Sequence, residues 1–260
     1  MPGPGRTIIG QTFTSPSFGL GGDCVQVFGS DGYTYIRGCI FDLAGVPLSK
    51  QDEAIDLIRG ARADIRNCAF IGCKKAILAG NGDWPEDDKH GSVHLEHCAF
   101  IGCARRCPEV QDGVRASMSG CWVHNWGVGS CFDVRTFGAW VHRGATLDVK
   151  NTLFSRAKNL TRWHWVVDHV NHIGEAVNDG SLLDVLSSTS WISGADRGLD
   201  YTGGGFGSSL GCRFIGCRQV GGEQQSVGSP SLAWLEAMPD TTHTSLGMSL
   251  AEFAALELDF

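Results

Sequence analysis

The hexapeptide CAFIGC occurs twice in this chain, starting at Cys68 and again at Cys98. Around it runs a looser unit: an apolar residue, two mostly polar or small residues, a Cys or small polar residue, any residue, then Phe or another apolar residue. It reads IIGQTF (Ile8 to Phe13), IRGCIF (Ile36 to Phe41), IRNCAF (Ile65 to Phe70), LEHCAF (Leu95 to Phe100), MSGCWV (Met118 to Val123) and VKNTLF (Val149 to Phe154), with a further CRF from Cys212. The fourth positions, Gln11, Cys39, Cys68, Cys98, Cys121, Thr152 and Cys212, are 28, 29, 30, 23, 31 and 60 residues apart. The last gap is two periods. Self-similarity at such a period is the mark of a solenoid, because one short unit cannot bury its apolar face alone and must stack on its neighbours.

Each unit alternates like a strand, and the intervening segments carry Gly, Asp and Asn where the chain must turn. The pattern predicts an all-β, single-stranded, right-handed parallel β-helix in which each period supplies two or three short strands and their corners. Leucine-rich repeats are shorter and carry a leucine–asparagine signature absent here, and propeller blades need regular hairpin turns. One domain over 1–260 is expected. Within it, 156–180, with three histidines and two tryptophans, reads as an excursion or a loop-bearing coil. Residues 230–260 have helix-like apolar spacing, with a start at Ser249, and read as a partly helical cap that could also meet a neighbouring chain. The oligomeric state is left open.

Composition narrows the function. A net charge of −7 with both signs mixed along the chain argues against a general nucleic-acid binder, which needs a basic surface. No apolar run is long enough to cross a bilayer, and the start, MPGPGRTIIGQ, lacks the regions of a signal peptide. The eleven cysteines are odd in number, contain no C-x-x-C pair and recur beside aromatic or branched residues. They are expected to be buried free thiols stacked coil over coil.

Three carboxylates stand out. Asp52 and Asp56 lie four apart in DEAID, and Asp23 lies one period earlier in GGDCVQV. Counted from the fourth positions, Asp23 falls at +12 and Asp52 at +13, which would stack them. Such a group calls for a hard cation with oxygen ligands, Ca²⁺ rather than a transition metal, unless the three are solvated turn residues. Lys75 and Arg106, at +7 and +8 in the next two coils, would continue that flank as a line of cations suited to an extended polyanion; Lys74 and Arg105 read as solvated neighbours. His90, His94 and His97, and His164, His169 and His172, read as surface or stacking residues rather than a zinc site. Asp87 and Asp88 read as a solvated turn rather than the acid pair of a glycosidase.

Taken together, these stretches resemble the calcium-dependent pectate lyases of the parallel β-helix type. GGDCVQVFGSDGYTYIRGCIF, DEAID, KAILAG and RCPEVQDG are similar, in order and coil spacing, to that family's metal-binding aspartate, its calcium pair, its substrate-binding lysine coil and its R-x-P-x-x-R-x-G motif. The resemblance implies calcium ligands at Asp23, Asp52 and Asp56, a substrate-carboxylate contact at Lys75 and the catalytic base at Arg106. Gln111, at the place of the motif's second arginine, would also face the substrate. It implies a lyase that cleaves polygalacturonate or a related acidic polysaccharide by β-elimination, and an extracellular location even though no signal peptide is present. The competing expectation is a non-catalytic carbohydrate-binding β-helix of the adhesin or tailspike kind.

Overall fold

The computed structural model describes residues 5–16, 22–80, 91–123, 139, 145–149 and 152, with the backbone of 124 and of the remaining strands. The chain winds through three strands per coil. The first coil holds β1 (Arg6–Ile9), β2 (Thr12–Phe13) and β3 (Val25–Phe28); the second β4 (Tyr33–Arg37), β5 (Ile40–Asp42) and β6 (Glu53–Ile58). The third holds β7 (Arg62–Arg66), β8 (Ala69–Ile71) and β9 (Lys75–Ala79), and the fourth β10 (Ser92–Glu96), β11 (Ala99–Ile101) and β12 (Arg106–Val110). The fifth holds β13 (Arg115–Ser119), β14 (Trp122–His124) and β15 (Thr136–Val141). Strands β16 (Thr146–Lys150), β17 (Leu153–Ser155), β18 (His164–His169), β19 (Leu182–Leu186), β20 (Trp191–Ser193), β21 (Arg197–Tyr201), β22 (Phe206–Leu210) and β23 (Arg213–Ile215) continue the order.

Every third strand pairs in parallel, giving two eight-stranded sheets and one of seven strands. This is the parallel β-helix that the repeat predicts. The 60-residue gap between Thr152 and the last unit is filled by β19 and β20, whose Leu183 and Trp191 pair with Leu147 and Leu153 of the coil before. Segment 156–180 contains β18, which pairs with β15 in the third sheet; its other residues lie outside the described ones. Residues 230–260 lie outside the described residues. None of the described helices is long and apolar enough to cross a membrane.

The repeat's letters now have physical reasons. Its first position, Ile8, Ile36, Ile65, Leu95, Met118 and Val149, fills the core from the first sheet. Its last forms a column in the second sheet. Phe13, Phe41, Phe70 and Phe100 stack nearly parallel at 4.8, 4.9 and 4.9 Å between ring centroids, the spacing of the strands that carry them. Each stacked pair adds roughly 0.5–1.5 kcal/mol beyond its area burial.

The third position makes the corner. Gly10, Gly38, Asn67, His97 and Gly120 all have φ between 51° and 61°, a left-handed conformation that glycine, asparagine and histidine tolerate and branched residues resist. In that conformation the N–H points along the solenoid axis, so Gly38 donates to Arg66 O and Asn67 to Glu96 O, both at 3.0 Å.

At the fourth position the expected thiol ladder is present, and it is hydrogen-bonded. Cys68 Sγ accepts from Cys39 N at 3.4 Å, Cys121 Sγ from Cys98 N at 3.4 Å, and the Thr152 hydroxyl from Cys121 N at 3.4 Å. A second group, Cys73, Cys103 and Cys107, is fully buried behind the next corner. All eight cysteines among the described residues are free and buried. Burial pushes the Cys98 thiol far above its ordinary value, which makes it inert at neutral pH.

Two outcomes follow for stability. Phe70→Ala, which opens a gap in the middle of the ring column, should cost about 3–5 kcal/mol in denaturant unfolding. Cys68→Ser should cost only about 1 kcal/mol, because a hydroxyl can take the Cys39 N–H as Thr152 takes that of Cys121, whereas Cys68→Ala leaves that donor unpaired at about 1–3 kcal/mol. Equal costs for the two cysteine variants would show that the thiol's hydrogen bond contributes nothing.

Candidate functional site on the third sheet

Connections from the first sheet to the second are two residues long in the first five coils, but those on either side of the third sheet vary widely. The third sheet is therefore the one flanked by loops of independent length. Its outward positions form columns fixed by strand pairing. Glu53, Lys75 and Arg106 are paired in one column, and Gln26, Asp56, Leu78 and Glu109 in another. Between them Ala54 and Ile55, and likewise Ala76 and Ile77, are all fully buried in the core. The outward positions thus fall three apart instead of two, and the small alanines fit the bend.

On this face the structure gathers acids. Asp23, Asp52 and Glu53 each offer one oxygen, and the three oxygens lie within 4.8 Å of one another. Asp23 Oδ1 accepts the N–H of Glu53 at 3.1 Å, and Asp23 Oδ2 accepts Nε2 of Gln26 at 2.8 Å. Register counting places Asp52 over Asp23, and in the structure Asp52 N binds Gly22 O and the Asp52 carboxylate lies with that of Asp23; Glu53, the next residue, joins them. Asp56 stands beside this trio, under the charges of Asp23, Asp52 and Lys75. It is buried, and its Oδ1 has no hydrogen-bond partner.

Burial, and then Asp23, push Asp56 up to about 7; burial pushes Glu53 up to about 8 in spite of the Lys75 ammonium against it. An orphaned buried carboxylate oxygen beside three converging ones is a site short of positive charge. Hard oxygen donors without histidine or thiolate suit Ca²⁺. Of the expected set, Asp23 and Asp52 converge with Glu53 as the third member, while Asp56 lies beside the group instead of within it. Glu53 went unread as a spacer in DEAID, and only the strand pairing shows that it faces outward.

The cations lie one and two strands on. Lys75 contacts Glu53, is 3.2 Å from Asp52 and also feels Glu109; burial alone would lower its pKa, but these acids raise it, so it stays charged. Lys74, read from the sequence as a solvated neighbour, lies 3.6 Å from Asp52 and donates to Gln51 O at 3.0 Å. Arg106 pairs in register with Lys75, and its Nη1 donates to Glu109 Oε2 at 2.5 Å. Gln111 is turned to the protein: its Nε2 donates to Gly80 O at 2.7 Å across the coils. Gly80 has φ 96° and lies so close that a Cβ would meet Gln111 O at 2.3 Å. Gln111 thus ties two coils together through its amide nitrogen.

Of the histidines, His94 bonds Ser117 Oγ at 2.6 Å on the first sheet and His97 forms a corner, both away from the acids. His90, His172, Asp87 and Asp88 lie outside the described residues, as do the side chains of His164 and His169. Compared with protein-family models, with curated proteins and with solved structures, the chain matches none.

The raised carboxylates make a pH-dependent outcome checkable. A carboxyl whose folded pKa is raised stabilises the fold below its unfolded value of about 4 and loses that contribution as pH rises through its folded value, here near 7 to 8. Chelator-treated protein should melt at a higher temperature at pH 5 than at pH 8, and added Ca²⁺ should raise the melting temperature more at pH 8 than at pH 5. A Ca²⁺ effect that is absent at pH 8, or survives in Asp56→Asn undiminished, would dismiss the metal reading.

Proposed function

We propose that the third-sheet face is the active site of a calcium-assisted polysaccharide lyase that cleaves polygalacturonate or a related uronic-acid polymer by β-elimination. The observation that carries this reading is the in-register sequence along the solenoid axis of a carboxylate cluster with an orphaned oxygen, then Lys75, then Arg106. Parallel strands repeat about every 4.8 Å, so the groove presents charges at a regular rise to an extended chain. The resemblance to the pectate lyases rests on the same residues.

Asp23, Asp52, Glu53 and Asp56 would hold the ion. Bound there, Ca²⁺ would supply a Lewis acid for the uronate carboxylate, lowering the cost of charge that develops when the neighbouring C5 proton leaves. Lys75 offers an ammonium to the same carboxylate once it exchanges protein acids for a sugar acid. Arg106 lies one strand further, and the resemblance gives it the role of base. A non-catalytic carbohydrate binder is the second reading; the pairing of both cations with protein carboxylates favours it, since each must let go of a partner to receive an acid sugar.

Mixing the protein with polygalacturonate and Ca²⁺ should generate the ultraviolet absorbance of an unsaturated uronate, which hydrolysis and simple binding do not produce. Arg106→Lys keeps the charge but loses the planar fork, and should lower turnover at least a hundredfold, about 2.7 kcal/mol, while leaving polymer binding largely intact. Retention of polymer without any absorbance change would establish the binder instead.

A further inference from the structure

We propose that Lys75 is a built-in cation that occupies the metal site until a divalent ion displaces it, so that metal binding is what frees its ammonium for an anionic ligand; this rests on the lyase reading for the metal. Three carboxylate oxygens, from Asp23, Asp52 and Glu53, lie within 4.8 Å of one another, and Lys75 holds two of these three residues. Its Nζ touches Glu53 Oε1 and lies 3.2 Å from Asp52 Oδ1. The ammonium thus stands where the charge of a bound ion would act. One ammonium does not satisfy the group, because Asp56, 8% exposed and under the charges of Asp23, Asp52 and Lys75, keeps a buried oxygen with no hydrogen-bond partner.

The fold keeps Lys75 at hand. Glu53 and Lys75 pair in register as the first residues of β6 and β9, and paired parallel strands lie about 4.8 Å apart. The Lys75 side chain is 15% exposed, and its flexible four-carbon stem can turn the ammonium from the acids to the open side of the groove. An ammonium offers its acids three donors, whereas Ca²⁺ draws six to eight oxygens to about 2.3–2.6 Å. Two such cations on the same two carboxylates repel each other strongly in a buried site. The divalent ion, with twice the charge and the larger demand for oxygen, takes Asp52 and Glu53, and Lys75 gives them up. Lys74 is placed differently: among the described residues its ion pair is with Asp52 alone, at 3.6 Å, and its Nζ also donates to Gln51 O.

This exchange imposes an order on binding. Without metal, protein acids hold Lys75 and an incoming carboxylate meets a surplus of negative charge. With metal, the same ammonium is free beside the ion, and both can act on one anionic ligand. Metal and ligand then bind with positive coupling that passes through Lys75.

Acetylation of the parent protein by an amine-reactive ester, read residue by residue in a mass spectrometer with and without saturating Ca²⁺, tests the displacement directly. Lys75 should label at least about tenfold faster with Ca²⁺, the scale on which close charge pairs are coupled, while the exposed Lys50 serves as the unchanged reference. In calorimetry Lys75→Met should bind Ca²⁺ at least about tenfold more tightly than the parent, and Lys74→Met less than about threefold more tightly. Calcium uptake that leaves Lys75 labelling unchanged, equal tightening in the two variants, or no calcium uptake at all overturns the proposal; if Lys75→Met does not fold, the labelling of the parent decides. Release of Lys75 in a protein that forms no unsaturated uronate keeps the proposal and removes the lyase reading. Elimination with Lys75 still protected does the reverse.

Discussion

In-register parallel stacking is the constraint on which everything else in this protein rests. Each coil satisfies its backbone donors and acceptors only through the coils above and below, so a residue's neighbour is set by strand pairing and not by local sequence. Like therefore meets like. Phenylalanines fall on phenylalanines at the strand spacing, thiols receive backbone N–H groups from the next coil, and left-handed corners repeat so that their amides point along the axis. The column is cooperative because a fault in one coil removes partners from two others.

The same rule that favours stacked rings creates trouble outside. Acidic residues in successive coils are forced together just as phenylalanines are, and the third sheet brings Asp23, Asp52, Glu53 and Asp56 into one groove at a cost that burial enlarges. Lys75 and Arg106 offset part of this, each in contact with a glutamate. What remains is an excess of negative charge with one carboxylate oxygen orphaned. Such an arrangement is one that a bound cation would stabilise.

Pairing of cations and acids inside the groove also bears on chemistry. Lys75 and Arg106 are not bare charges waiting for a polyanion; each is already oriented by a protein carboxylate. Any anion that enters this face must compete with a buried glutamate for the same donor. The Arg106–Glu109 pair joins a cation to a buried carboxylate within one strand.

The repeat was legible because the corner between the first two sheets is almost always two residues long, so Ile65, Asn67, Cys68 and Phe70 recur at constant offsets in neighbouring coils. Asp23, Asp52, Lys75 and Arg106 were also legible, because their distances from that corner vary by only a residue. Glu53 escaped that count: it stands between Asp52 and Ala54 in the sequence, and only the folded chain brings its carboxylate to those of Asp23 and Asp52. Glu109 and the inward turn of Gln111 left no trace in the pattern. By itself the sequence determined the solenoid, its period and the flank on which the charges lie, since these follow from periodicity and burial. Which carboxylates converge, which cation each one holds and which amide is spent on a neighbouring coil were decided only in the tertiary structure, because loops of unequal length reset the register at the third sheet and a one-residue shift there exchanges the inside of a strand for its outside.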